Sequence, residues 1–216
     1  MLLAEDIQFQ YPNTKKLSYP TIHCTSQIPL LITGESGCGK TTLLSILGGL
    51  ITNYKGNVMI DGTNLSSLTK KKLDRFRADY IGIIHQKPFF VSSLNMKDNI
   101  ALAAYFGNVQ EKNTDITKQL FDQLKVEHLL FKKPTELSSG EIQRFSIIRA
   151  ICKNAKLVLA DEPTSSLDNQ NALQVIQLLN QLCLDKGIAL IIVSHDTRLT
   201  KSVSYTHLTL PTNREV

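Results

Sequence analysis

The segment Gly34-Glu-Ser-Gly-Cys-Gly-Lys40-Thr41 has the spacing of a phosphate-binding loop, in which a glycine and four residues precede Gly-Lys-Thr. Glycines let the backbone curl, so that successive N–H groups point at phosphate oxygens. A short apolar run precedes the loop and a helical pattern follows it, which is the context that such a loop requires. The segment therefore predicts a nucleoside triphosphate site. Its expected contacts are Gly34, Glu35, Ser36, Gly37, Cys38, Gly39, Lys40, Thr41 and Thr42.

Within that loop, two side chains carry most of the chemistry. Lys40 can reach the outer phosphates, and the Thr41 hydroxyl can hold Mg²⁺. The helix after the loop adds the positive end of its dipole, which also favours an anion.

Two acids, Asp161 and Glu162, follow the apolar run Leu157–Ala160. In a parallel sheet this strand end lies beside the phosphate loop. Asp161 is suited to bind Mg²⁺, directly or through water, and Glu162 to polarise the attacking water. The alternative is that both acids are helix caps or surface residues.

His195 follows the apolar run Ile188–Val193, which is predicted to be another core strand. From that position its side chain could reach the γ-phosphate, although a single histidine after a strand is often only structural. Lys40, Glu162 and His195 are thus the candidate catalytic residues.

Apolar runs alternate with helical patterns along the chain, which predicts an α/β fold of the P-loop NTPase type, with a mostly parallel sheet flanked by helices. An antiparallel β part is expected at the N-terminus, and residues 87–140 read as an inserted helical subdomain. The predicted strands are Ala4–Phe9, Leu30–Thr33, Asn57–Ile60, Ile81–Ile84, Leu157–Ala160 and Ile188–Val193. The predicted helices are Thr41–Leu50, Lys97–Tyr105, Thr114–Lys125, Ser139–Lys153 and Asn169–Lys186.

Composition limits the class of protein. The 216 residues carry a net charge of +5, and 42% are hydrophobic. No apolar run approaches the roughly 18 residues that span a bilayer, and the N-terminus does not resemble a signal peptide. The four cysteines are widely spaced, which favours free thiols in a reducing compartment. We therefore expect a cytoplasmic protein, with no nucleic-acid partner, because the basic run Lys70–Lys72 reads as a solvated helix start.

Leu137-Ser-Ser-Gly-Glu141 resembles the signature motif of the ATP-binding subunits of ABC transporters. The other motifs of that family occur in its order: the phosphate loop, Gln86 after a core strand, the two acids, Ser165-Ser-Leu-Asp168 and His195. Tyr11 matches the aromatic residue that stacks on adenine. The resemblance covers about residues 1–200, which predicts one ABC ATPase domain over 1–204. Its motif strings are most similar to the lipoprotein-release, macrolide-export and cell-division branch.

This resemblance implies a mechanism in which two copies pack head-to-tail. Each ATP would lie between the phosphate loop of one copy and Ser138, Ser139 and Gly140 of the other. Asp168 would lie at the dimer interface, and Gln86 would contact Mg²⁺ or the attacking water.

The family resemblance also implies an integral membrane permease as partner, coupled through about Lys87–Asn99. The expected location is the cytoplasmic face of the inner membrane, and the expected role is export or lipoprotein release. The alternative is a regulatory ATPase of the cell-division type that moves no substrate.

Three segments depart from the family pattern. Ser139 replaces the first glycine of the signature pair, and Pro12–Pro29 is short and matches the usual strands poorly. Residues 205–216 show no amphipathic pattern and no match to the family. We expect this tail to be foreign sequence joined to a truncated reading frame; the alternative is a divergent, disordered terminus.

Overall fold

The computed structural model describes residues 1–107, 114–165, 167–195 and 205–210, except for the side chains of residues 114–116, 169 and 170. An antiparallel sheet forms the N-terminal part, as predicted. Its strands are β1 (Leu2–Phe9), β2 (Leu17–Ser18), β3 (Ile22–Cys24), β5 (Lys55–Ile60) and β6 (Thr63–Asn64). Strand β1 pairs with β2, β3 and β5, and β5 turns into β6 through Asp61 and Gly62. Both turn residues have positive φ, as a tight hairpin turn requires.

A second, parallel sheet forms the core, with the strand order β10-β4-β9-β8-β7. Its strands are β4 (Leu30–Thr33), β7 (Ile81–Ile84), β8 (Leu157–Asp161), β9 (Ala189–Val193) and β10 (Thr206–Thr209). Strands β8 and β9 are apolar on both faces because both faces are covered. Their successive residues alternate between two hydrophobic clusters, one on each side of the sheet.

Helices cover both faces of the core sheet. Their bounds are α1 (Lys40–Leu47), α2 (Lys70–Tyr80), α3 (Met96–Phe106), α4 (Thr114–Gln123), α5 (Ser139–Ile151) and α6 (Asn169–Asp185). Helices α1 and α2 contribute to the cluster shared with the antiparallel sheet, and α3–α6 contribute to the other. The helical spacing of the apolar residues in α6 places them on one face, and the structure buries this face: Ala172, Val175, Ile176, Leu179, Leu182 and Cys183.

The expected helical insertion agrees with the structure. Between β7 and α5 the described residues form α3, α4 and short 3-10 turns, with no strand among them. Ile116, Leu120 and Leu124 have the spacing of one helical stripe in the sequence. Leu120 and Leu124 are fully buried, while the side chain of Ile116 lies outside the described residues. The basic run Lys70–Lys72, read from the sequence as a solvated helix start, begins α2, which is strongly polar and buries only Leu73.

The chain end forms a strand that the sequence patterns did not predict. Thr206–Thr209, within the tail that shows no amphipathic pattern, forms β10 and pairs in parallel with β4 along the sheet edge. The strand forms because β4 offers an unpaired edge and because Tyr205 and Leu210 bury their side chains on either side of it. Residues 196–204, which contain the expected domain boundary at 204, lie outside the described residues, as do residues 211–216. The foreign origin of the tail remains a prediction.

Candidate nucleotide-binding site

Helix α1 begins directly at the phosphate loop. Its N-cap, Gly39, has φ +97°, and a Cβ added there would lie 2.7 Å from the Tyr19 hydroxyl and 3.1 Å from Leu17. Only glycine meets both conditions, since a side chain would be strained and would also clash. The ammonium of Lys40 donates to the carbonyl oxygens of Gly34 and Glu35, at 2.8 and 2.9 Å. The loop is thus curled around a buried lysine.

Tyr19 supports this loop from below. Its hydroxyl donates to the Gly39 carbonyl at 2.9 Å, and its side chain is almost fully buried. Burial raises the pKa of Tyr19 far above its usual value, and the neighbouring Cys38 and Tyr11 add to the rise. The phenol therefore remains a neutral donor at physiological pH.

Asp161 ends β8 beside the first turn of α1. Burial raises the pKa of this carboxyl, while a hydrogen bond from the Thr41 hydroxyl and the charge of Lys40 oppose the rise. A hydroxyl and a carboxylate thus adjoin each other next to the loop.

Glu162 has φ +47°, a backbone conformation that is uncommon for a residue with a side chain. Its carboxylate is mostly buried and faces the end of β9, where the Ser194 hydroxyl donates to Oε2 at 2.9 Å. His195 Nδ1 lies 2.7 Å from Oε1. The imidazole predicted to reach the γ-phosphate thus contacts Glu162 in this state.

One cavity of about 470 Å³ collects these groups. Four different strand ends contribute to it, as the carboxyl ends of parallel strands do. Its lining includes Ser36, Gly37, Gly39, Lys40, Thr41, Thr42, Gln86, Asp161, Glu162 and His195. Gly34, Glu35 and Cys38 are not part of that lining; the first two hold Lys40 through their carbonyls, and Cys38 is buried.

Tyr11 lies beside this cavity. Its ring is 43% exposed and stands edge-on to Phe9, with centroids 4.6 Å apart. Its hydroxyl lies 3.3 Å from the Thr42 hydroxyl. An exposed aromatic face next to the phosphate loop can stack on a nucleobase.

The signature residues line a different cavity, of about 430 Å³, which shares no lining residue with the first. Ser138, Ser139 and Gly140 start α5 there, and Asp168 caps α6 beside them. Ser138 and Glu141 form a capping box, and the Ser138 hydroxyl and N–H hold the pKa of Glu141 below its usual value. Ser139 has a helical backbone, so its Cβ is tolerated at a position where the family pattern has glycine.

The donor set beside the loop fits Mg²⁺. Thr41 and Asp161 offer hard oxygen atoms, which Mg²⁺ prefers, and Mg²⁺ usually takes its other ligands from water and phosphate. Within the described residues, no group of three His, Cys, Asp or Glu side chains could hold a metal by itself. The site therefore suits a metal that arrives with the triphosphate.

Two residues of this site escaped the sequence patterns. Ser194 directly precedes His195, and its position after a buried strand is a signal that could have indicated it. Tyr19 lies in a segment with little periodicity, and its contact with Gly39 spans 20 residues, so no local signal exists.

The parallel sheet, the curled glycine loop after β4 and the acids at the end of β8 define a P-loop nucleoside triphosphatase. Comparisons refine this class. The ABC transporter family matches residues 21–165. Over 170 residues, which are 78% of its length, the chain is 38% identical to the macrolide export ATP-binding/permease protein MacB of Campylobacter jejuni. The chain spans about a quarter of that relative, since the match covers 26% of its length.

Two solved structures are similar to this chain over almost its whole length. The dimeric ATP-binding cassette MJ0796, in a post-hydrolysis state bound to ADP and Pi, has a TM-score of 0.83 at 25% identity, covering 97% of this chain and 94% of that chain. A second dimeric structure of MJ0796, described as a bacterial ABC transporter cassette, has a TM-score of 0.84 at 26% identity with the same coverage.

The chain belongs to the ABC transporter family and is an ATPase, and its similarity to MacB supports the branch of that family to which its motifs are most similar. This agrees with the resemblance inferred from the sequence. Among the described residues, no helix has the length and apolar character to cross a bilayer.

Proposed function

We propose that this chain binds Mg-ATP between two copies of itself and uses hydrolysis to drive an integral membrane permease of the export or lipoprotein-release type. One observation carries the proposal: a single cavity collects the phosphate loop, Gln86, Asp161, Glu162 and His195, while the signature lines another.

In the first cavity, binding depends on Lys40 and the curled loop. The Lys40 ammonium, which here donates to two carbonyl groups, is the cation that attracts the outer phosphates. The dipole of α1 adds to this attraction. Thr41 and Asp161 are the residues to hold Mg²⁺, with Gln86 nearby. When bound, Mg²⁺ neutralises charge that develops on the phosphoryl oxygens. Tyr11 stacks on the adenine.

Glu162 is the base or orienting group for the attacking water. To act, its carboxylate must have an oxygen free, whereas Oε1 is now next to His195 Nδ1. His195 is 68% exposed in its side chain, so it can turn from Glu162 toward the γ-phosphate. Substrate binding would then free the base and supply a donor to the phosphate together.

The proposed dimer explains why the signature residues and the phosphate loop line separate cavities in one chain. Ser138, Ser139 and Gly140 present a helix N-terminus that can bind an anion, yet in one chain they line a separate cavity from Lys40. A head-to-tail copy would bring the partner's signature onto the γ-phosphate, with Asp168 at the interface. Both MJ0796 structures are dimeric, which supports this arrangement.

A groove of about 460 Å³ is the proposed docking site for the permease. Phe89 and Phe106 line it and are 76% and 59% exposed, and exposed apolar patches often mark interaction sites. His85 lines this groove while the next residue, Gln86, lines the nucleotide cavity. The predicted coupling segment Lys87–Asn99 contributes Phe89. A partner here would place the chain on the cytoplasmic face of the membrane.

The ATPase test compares the wild-type chain with Glu162→Gln. We expect Mg²⁺-dependent hydrolysis in the wild type, with specific activity rising with protein concentration because two chains form each site. In Glu162→Gln, kcat should fall by about 10²- to 10⁴-fold, while ATP binding persists and dimers accumulate on a sizing column. Lys40→Ala is the control that should lose binding itself. Unchanged hydrolysis in Glu162→Gln would remove Glu162 from the mechanism.

The permease test uses a photocrosslinking amino acid at position 89 in cells, followed by mass spectrometry. We expect one integral membrane protein as the main adduct. The same probe at Leu184, exposed on α6, is the control. Equal labelling at both positions, or only soluble adducts at position 89, would contradict docking in this groove.

A further inference from the structure

Two consecutive residues bind both carboxylate oxygens of Glu162. The Ser194 hydroxyl donates to Oε2 at 2.9 Å. The His195 backbone N–H lies 3.1 Å from Oε1 and 3.4 Å from Oε2, and His195 Nδ1 lies 2.7 Å from Oε1. Oε2 therefore faces the serine, and Oε1 faces the imidazole.

The two side-chain donors differ in their freedom to move. Ser194 is fully buried, and its N–H donates to the carbonyl of Ile32 in β4 at 3.1 Å. Glu162 donates its own N–H to Val193 of β9 at 2.9 Å. Three core strands thus fix Ser194 and the Glu162 backbone together, whereas the His195 side chain is mostly in solvent.

The backbone conformation of Glu162 explains why its carboxylate meets the Ser194 hydroxyl. A residue with φ +47° persists only when its surroundings hold it there. That conformation turns the side chain from the end of β8 toward β9, where the Ser194 hydroxyl meets it. The hydrogen bond fixes the plane of the carboxylate as well as its position.

We propose that Ser194 is a positioning residue for ATP hydrolysis, which holds Oε2 of Glu162 fixed so that Oε1 is the oxygen presented to the attacking water. This inference rests on the proposed role of Glu162. Once His195 turns away, Oε1 accepts a proton from water as the water oxygen bonds to the γ-phosphorus. The bond from that phosphorus to the bridging oxygen breaks, and ADP leaves with the electron pair.

The test measures kcat and KM for Mg-ATP in Ser194→Ala, Ser194→Cys and Ser194→Thr. Alanine removes the donor, and cysteine keeps nearly the same volume with only a weak S–H donor. In both we expect kcat to fall by about tenfold or more, the effect of one hydrogen bond to a charged group. KM should stay within about twofold, because the hydroxyl contacts the base rather than the nucleotide. Threonine keeps the hydroxyl and should recover most of the activity.

Ser146→Ala is the matched control. Ser146 is equally buried, in α5, and its hydroxyl has no hydrogen-bond partner within the described part of the chain. Its kcat should be unchanged. A normal kcat in both Ser194→Ala and Ser194→Cys would overturn the proposal, as would parallel losses of activity and thermal stability in the Ser194 and Ser146 variants. The Glu162→Gln comparison separately decides the proposed function, because Glu162 can be the base whether or not Ser194 orients it.

Discussion

Replacing Tyr19 with phenylalanine removes one hydroxyl from beneath the phosphate loop and leaves the ring. The lost bond, to the Gly39 carbonyl at 2.9 Å, joins two neutral groups. Such bonds contribute about 1 kcal/mol net. The Gly39 carbonyl also accepts from the Leu43 N–H at 2.9 Å, so no polar atom is orphaned and no larger penalty applies.

From this value we expect the free energy of unfolding to fall by about 1 kcal/mol and Tm by about 3 °C for a domain of this size. The same bond helps to hold the loop in its curled form. Without it, part of the binding free energy of ATP is spent on ordering the loop. The Kd for Mg-ATP should rise by up to about fivefold, the equivalent of 1 kcal/mol.

Thermal unfolding by circular dichroism and calorimetric titration with Mg-ATP in a Glu162→Gln background check both values. Tyr54→Phe is the matched control, because the Tyr54 hydroxyl is buried without a hydrogen-bond partner among the described residues. That variant should keep its Tm and its Kd. Identical values for Tyr19→Phe and Tyr54→Phe would refute the role assigned to the Tyr19 hydroxyl.

The stability contribution of Tyr19 should also depend on pH. Burial raises the pKa of Tyr19 in the folded chain, so the phenol stays protonated while an unfolded tyrosine ionises near about pH 10. The Tyr19 contribution is therefore fully present below that pH and is lost above it. The stability difference between wild type and Tyr19→Phe should stay constant up to about pH 9 and shrink as the pH rises above about 10. A difference that stays constant above that pH would contradict the raised pKa.

Two further predictions concern residues that line the docking groove. In Gly82→Ala, the added Cβ would lie 2.4 Å from the Ala150 carbonyl oxygen, so β7 and α5 must separate, at a cost of about 1–3 kcal/mol in thermal unfolding. Gly62→Ala has positive φ but open space and should lose less; equal losses would show that β7 and α5 can separate freely. Burial lowers the pKa of Lys153 to about 8, so the folded chain releases this proton while an unfolded lysine keeps it to about pH 10. Wild-type stability should rise relative to Lys153→Met between those pH values, and parallel pH curves would contradict the lowered pKa.

Local patterns predicted the elements that carry the site. Strands β4 and β7 have the bounds expected from their apolar runs, because strands buried on both faces need continuous apolar residues. The apolar stripe of α6 was also indicated by the sequence, since helical periodicity is a short-range signal. Strand β10 was not predicted because it forms by pairing with the edge of β4, and α2 was indicated only at its basic start because it is strongly polar and buries only Leu73.

The sequence by itself determined the class of chemistry. Three motifs each require fixed residue types at fixed spacing along the chain: the phosphate loop, the acids after a buried run and the signature string. They can therefore be recognised from the sequence alone. Family membership follows from the same strings and agrees with the comparisons.

Only the tertiary structure decided which groups meet. It joined Glu162 to Ser194 and His195 across two parallel strands, and Tyr19 to Gly39 beneath the loop. It also placed the signature in a cavity apart from Lys40. These contacts depend on strand register and on the backbone conformation of Glu162, which are fixed by the packing of the whole sheet and leave no mark on local residue spacing.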